Sequence, residues 1–242
     1  MKYKAIFFDL DGTLVPMDYA TFTKGYFSEL YGVAAPTGLI GAEAFTAAIW
    51  TGTKAMVRND GRETNERVFW ESFAKTTGLD GAAVDTLNGI CDRFYTKEFH
   101  RARRFTGDNP LAPEAVRLAH GDGARRVVLA TNPLFPRDGQ LSRMSWVGLK
   151  ESDFELITSY EFESFCKPNP QYYLSICERI GVSPEDCLMI GNDEREDAWA
   201  ATEAGLDCFI VTDCLIPAEG FTWNGKRGTF AELVEALRSD SI

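Results

Sequence analysis

Four apolar side chains in succession, Ala5, Ile6, Phe7 and Phe8, run directly into the turn Asp9-Leu10-Asp11-Gly12-Thr13. An unbroken run of this kind, with two Phe and one β-branched residue, predicts a strand buried on both faces. The signature returns at residues 127–130, 187–190 and 208–211, with a shorter run at 154–157. Between these runs the apolar spacing becomes helical. Residues 113–120 stop at Gly121 and Gly123. In 172–180, Tyr173, Ile176, Cys177 and Ile180 share one face before Gly181, and 196–204 closes on Gly205. The last helix opens on Thr229-Phe230-Ala231-Glu232, a capping box, and continues through Leu233 and Leu237. Strands without in/out alternation, separated by helices, predict an α/β fold with a mostly parallel sheet covered on both faces.

Residues 18–105 read differently. Phe22, Tyr26 and Leu30 recur at four-residue steps, as do Val68, Phe69 and Phe73, and then Val84, Leu87, Cys91, Phe94 and Tyr95. These are amphipathic helices with little strand signal, which predicts an all-helical unit inserted after the first strand. At 242 residues, one core domain with a sizeable insertion fits the length.

In a parallel α/β sheet the working groups gather at the carboxyl ends of the strands. This chain repeatedly places polar residues there: Asp9 and Asp11, Thr131 and Asn132, Asn192 and Asp193. Asp9 and Asp11, two residues apart in extended chain, face one common volume. Two carboxylates held that close repel unless one is protonated or a cation lies between them. A hard, oxygen-seeking ion such as Mg²⁺ suits them. The pair points to phosphoryl transfer with an aspartate nucleophile.

The net charge of −11 argues against a nucleic-acid or anionic-membrane surface, though a local pocket still admits an anionic small molecule. Six cysteines show no CxxC pair and no ligand-like spacing with His100 or His120, so neither a disulfide scaffold nor a zinc site is expected. No segment approaches the length of a membrane span or a signal-peptide core, which predicts a cytoplasmic protein.

Taken together, the segments resemble the haloacid dehalogenase superfamily. Asp9-Leu10-Asp11-Gly12-Thr13 fits its first motif and Thr131 its second. Lys167 in Lys167-Pro168-Asn169-Pro170 fits the third, and Gly191-Asn192-Asp193-Glu194-Arg195-Glu196-Asp197 the fourth. The resemblance implies a Rossmann-like core of residues 1–15 and 106–242, with a helical first-type cap of residues 16–105. It also implies a Mg²⁺-dependent phosphatase of small phosphorylated metabolites. In that scheme Asp9 attacks phosphorus, and Asp11 protonates the leaving alcohol and then deprotonates water. Thr131 and the N–H of Asn132 cradle phosphoryl oxygens, and Lys167 neutralises charge. Asp9, Asp11 through its carbonyl, and the fourth motif hold the metal. The family usually has Asp where this chain has Asn192, so the metal role is shared among Asn192, Asp193 and Asp197, with orientation of Lys167 as another role for Asp197. A phosphomutase of the same family and a catalytically weak binding or regulatory member are the alternatives. Glu194 and Glu196 read as helix-dipole or solvated acids. Lys97, His100, Arg101, Arg103 and Arg104 read as a solvated helix face, not a second anion site. Val15 and Pro16, with Gly107 and 110–113, mark the two crossings between core and cap.

Overall fold

The computed structural model describes residues 2–242. Six parallel strands form one sheet in the order β3-β2-β1-β4-β5-β6. They are β1 (Ala5–Phe8), β2 (Arg126–Leu129), β3 (Leu156–Ile157), β4 (Cys187–Gly191), β5 (Asp207–Val211) and β6 (Lys226–Gly228). The first strand is central, with Phe8 in register with Leu129 on one side and Ile190 on the other. Successive residues serve opposite layers. Ile6 and Phe8 pack with Val127, Leu129, Leu188 and Ile190 against α5 (Ala112–Ala119), α6 (Arg137–Trp146) and α9 (Phe230–Arg238). Ala5 and Phe7 join Val128, Met189 and Ile210 against α7 (Pro170–Ile180) and α8 (Ala200–Glu203). Every side chain of β1 is fully buried, and each Phe there contributes about 1.5–3 kcal/mol.

Between β1 and α5 lie α1 (Tyr19–Ala34), α2 (Ala42–Val57), α3 (Asn65–Thr77) and α4 (Gly81–Lys97), the inserted helical cap region. Side chains of Asp18, Thr64 and Asp80 cap α1, α3 and α4. Helices α2 and α3 approach closely because Gly52 faces Phe69, whose ring a Cβ at position 52 would meet at 2.5 Å. The outgoing and returning chains are tied together: Gly107 N–H donates to the Pro16 carbonyl (2.7 Å) and Asn109 Nδ2 to the Leu14 carbonyl (3.1 Å).

Two local expectations change, and other elements carry no readable local signal. The strand at 154–157 shortens to two residues, because Phe154 N–H closes a turn onto Glu151. The helix at 196–204 begins instead as a π-type turn, Glu194–Trp199, and only Ala200–Glu203 is α-helical. The sixth strand, Lys-Arg-Gly, carries no apolar signal because it is an exposed edge whose charges discourage further pairing. Helix α2 lies within the stretch read as all-helical, and α6 fills the space between the second and third motifs. Among the described residues, no helix is long and apolar enough to cross a membrane.

Candidate active site

The carboxyl edge of the sheet is where the polar strand ends meet. Asp9 still belongs to the ladder, its N–H donating to Ile190 (2.9 Å), so its position is set by the sheet. The chain then turns tightly: Val15 N–H returns to Leu10 and Gly12 N–H to Val15, both at 2.8 Å. Gly12 has φ +86°, and a Cβ there would lie 2.3 Å from the Asn192 side chain. The turn therefore needs glycine for its backbone and for the approach of the fourth motif.

Lys167 is fully buried, and its ammonium bridges Asp9 Oδ1 (2.8 Å) and Asp197 Oδ1 (2.6 Å). Burial alone would lower its proton affinity, but the Asp197 and Asp9 carboxylates outweigh that and hold it well above the ordinary lysine range. Asp197 spends its other oxygen on the N–H groups of Asn192 and Asp193, each at 3.0 Å. Asn192 is equally committed, accepting from the Thr13 hydroxyl (2.9 Å) and donating to the Cys214 carbonyl (2.7 Å). Asp193 uses Oδ1 to cap the following turn through Arg195 and Glu196 N–H.

Beyond β2, the Thr131 carbonyl accepts from the hydroxyls of Thr158 (2.7 Å) and Tyr172 (2.8 Å), which fixes the loop carrying Thr131 and Asn132. Asn132 donates to Glu196 Oε2 at 2.9 Å. Asp11 faces Arg143, whose Nε lies 3.0 Å from Oδ1. Neither atom makes a directed hydrogen bond, so the contact is ionic. The Arg143 guanidinium also lies over the Phe135 ring, 3.9 Å from its centroid.

These groups surround a cavity of about 290 Å³ lined by Asp9, Asp11, Thr131, Asn132, Asn192, Asp193 and Asp197, with Tyr19, Leu134, Phe135, Glu196 and Ile216 completing the wall. The eight candidate site residues Asp9, Asp11, Thr131, Asn132, Lys167, Asn192, Asp193 and Asp197 are thus brought together, Lys167 reaching the cavity wall through Asp9 and Asp197. Burial pushes the Asp9 carboxyl up to about 7 against the pull of Lys167. Burial, and next the neighbouring Asp193, push Glu196 up to about 8. Asp11 is raised by burial, with Arg143 opposing, and Asp193 is raised chiefly by burial.

Five carboxylates lining one cavity exceed the two cations that face them, Lys167 and Arg143. Oδ2 of Asp9 and of Asp193 makes no hydrogen bond among the described residues. Such a surplus of hard oxygen suits Mg²⁺, although no three His, Cys, Asp or Glu side chains among those residues form a ready-made cage.

Two residues at the cavity, Arg143 and Glu196, escaped the sequence. Arg143 sits in a largely polar helix segment, and nothing in its neighbours announces that it is buried against Asp11. Glu196 lines the cavity instead of facing solvent. Glu194 is buried too, but away from the cavity: it accepts from Arg227 (2.6 Å) and from the N–H groups of Ala218 and Trp223 (both 3.3 Å), anchoring the loop after β5. In the cap, Arg104 and Arg101 face Glu29 (2.5 and 3.9 Å) and Arg103 faces Asp108 (3.3 Å), away from the cavity.

Comparison with known proteins agrees with this architecture. The family model of haloacid dehalogenase-like hydrolases matches residues 3–205. The phosphoglycolate phosphatase of Nitrosospira multiformis is 26% identical over 214 residues, 87% of this chain and 84% of that protein. The glyceraldehyde 3-phosphate phosphatase of Methanothermobacter thermautotrophicus is 34% identical over 80 residues, 33% of this chain and 35% of that protein. The chain spans less than half the length of several curated relatives it matches. The crystal structure of 2-haloacid dehalogenase from Pseudomonas syringae pv. Tomato DC3000 shares the fold, with a TM-score of 0.59 at 17% identity over 99% of this chain and 100% of that one. The chain belongs to the haloacid dehalogenase-like hydrolase family, with a helical region inserted after its first strand.

Proposed function

We propose that the protein is a Mg²⁺-dependent phosphoric monoester hydrolase of small phosphorylated metabolites, acting through an aspartyl-phosphate on Asp9. The observation that carries this reading is the buried Lys167 clamp, which fixes one oxygen of Asp9 and leaves the other toward the cavity that Asp11 also lines.

Asp9 Oδ2 attacks phosphorus, and the bond from phosphorus to the ester oxygen breaks. The leaving oxygen takes the released electron pair together with a proton from Asp11, whose proton affinity burial raises against the pull of Arg143. Asp11 then accepts a proton from water as the water oxygen bonds to phosphorus and the Asp9–phosphorus bond opens, releasing inorganic phosphate. Thr131 and the Asn132 N–H hold the phosphoryl oxygens, and Lys167 offsets the charge that develops on them. Mg²⁺ would be held by Asp9, the Asp11 carbonyl and Asp193, and supplies screening between nucleophile and anionic ester. Asp197 and Asn192, whose side-chain atoms are committed elsewhere, instead position Lys167 and the fourth-motif turn. The domain division into residues 1–15 and 106–242 as core and 16–105 as cap belongs to the same proposal, the cap excluding water during the reaction.

Phosphate release from phosphorylated metabolites tests the metal dependence. Release is expected to fall to background in EDTA and return with Mg²⁺. Asp193→Asn should raise the Mg²⁺ concentration for half-maximal rate at least about tenfold, a cost that even outer partners of a metal can incur. Undiminished release in EDTA contradicts the proposal. Interconversion of phosphosugar isomers without release would select a mutase, and ester binding without turnover would select a non-catalytic member.

A further inference from the structure

We infer that the alcohol released at this site is compact, apolar and uncharged, an inference that rests on the phosphatase reading above. Asp11 and Phe135 line both the catalytic cavity and a second one of about 50 Å³ that reaches into the helical cap, walled mainly by Phe22, Phe27, Trp50 and Phe69, with the neutral hydroxyls of Thr23, Tyr26 and Thr53 among them. Asp11, the group assigned to protonate the leaving oxygen, therefore stands at the junction. The phosphoryl group belongs on the Asp9 side, and whatever the ester oxygen carries extends among the aromatic rings.

Charge sharpens the inference. Apart from Asp11, no side chain charged at neutral pH lines the smaller cavity among the described residues. Both cations at the site are already engaged, Lys167 by Asp9 and Asp197, and Arg143 by Asp11. A second carboxylate or phosphate on the substrate would meet aromatic walls, a few neutral hydroxyls and surplus negative charge, with no cation to offset its desolvation. Size limits the alcohol as well. The cap-side space is narrow, about 50 Å³, which favours a short tail over a bulky one.

The test compares kcat/KM of the full chain with Mg²⁺ for ethyl, butyl and octyl phosphate, phosphoglycolate and O-phosphoserine. Butyl phosphate is expected to exceed phosphoglycolate and phosphoserine by about tenfold or more, since each buried methylene is worth several-fold. Within the alkyl series the value should rise from ethyl to butyl and fall at octyl. Trp50, 38% exposed and so open to substitution, gives the converse. Trp50→Lys should lower the value for butyl phosphate and raise it for phosphoglycolate. Asp9-dependent release in which either anionic substrate equals or exceeds butyl phosphate overturns this inference and leaves the phosphatase reading intact. Release from none of the five overturns both.

Discussion

Asparagine at position 9 is expected to reduce phosphate release at least about 10⁴-fold, equivalent to ~5 kcal/mol or more of barrier, while leaving the fold in place. The two side chains have nearly the same volume, and an amide oxygen can still accept from the Lys167 ammonium that now lies 2.8 Å away. What disappears is the proposed nucleophile, because an amide has no anionic oxygen to offer phosphorus. The wild-type carboxylate is itself costly to hold, since burial pushes it up to about 7, so the neutral amide should cost the fold little. Unfolding stability within about 1 kcal/mol of wild type, alongside lost turnover, is the expected pair of results. Retained turnover would remove Asp9 from the chemistry.

Lys167→Met reverses the balance, with a large effect on stability as well as rate. The ammonium is the one cation between Asp9 and Asp197, and neither its side chain nor that of Asp197 is meaningfully exposed. Without it, two carboxylates remain buried and uncompensated, and breaking a buried pair in this way costs about 3–5 kcal/mol. Catalysis should also fall by about 10²–10³-fold, because charge developing on phosphorus loses its fixed counter-charge. Denaturant unfolding and single-turnover rates read the two effects separately. A variant as stable as wild type would show that the clamp matters less than its geometry suggests.

The sheet was legible because its central strands are buried on both faces. Ala5–Phe8 and Cys187–Gly191 have no solvent side, so their sequences are apolar without interruption. The closing capping box was equally readable, since Thr229 and Glu232 make reciprocal local bonds that need no tertiary partner. Illegible elements take their structure from elsewhere. The edge strand β6 pairs only with β5 and is mostly exposed, so it lacks an apolar pattern. The π-type turn after β4 is shaped by Asp193 as its cap and by Glu194 reaching Arg227, thirty-three residues away in sequence.

The site divides the same way. Asp9, Asp11, Thr131, Asn132 and the Asn192–Asp197 segment sit at strand ends, where backbone topology alone carries them to one edge. Arg143 reaches Asp11 from a helix whose buried face includes Gly139 and Gln140, residues that give no amphipathic warning. Glu196 enters the cavity because the turn after β4 is wider than an α-helix, a property its composition does not display. The aromatic walls of the cap cavity come from three separate helices and the loop after β2, and only folding assembles them.

The most direct measurement is mass spectrometry of acid-quenched enzyme mixed with a phosphate ester and Mg²⁺, mapped by peptide. A phosphoryl adduct is expected on the peptide that contains Asp9. In Asp11→Asn, which lacks both the acid for the first step and the base for the second, the adduct should form more slowly and persist longer once formed, and in Asp9→Asn it should be absent. Phosphate released by wild-type protein with no adduct at any quench time, at a rate that Asp9→Asn leaves unchanged, would contradict a covalent route through this aspartate.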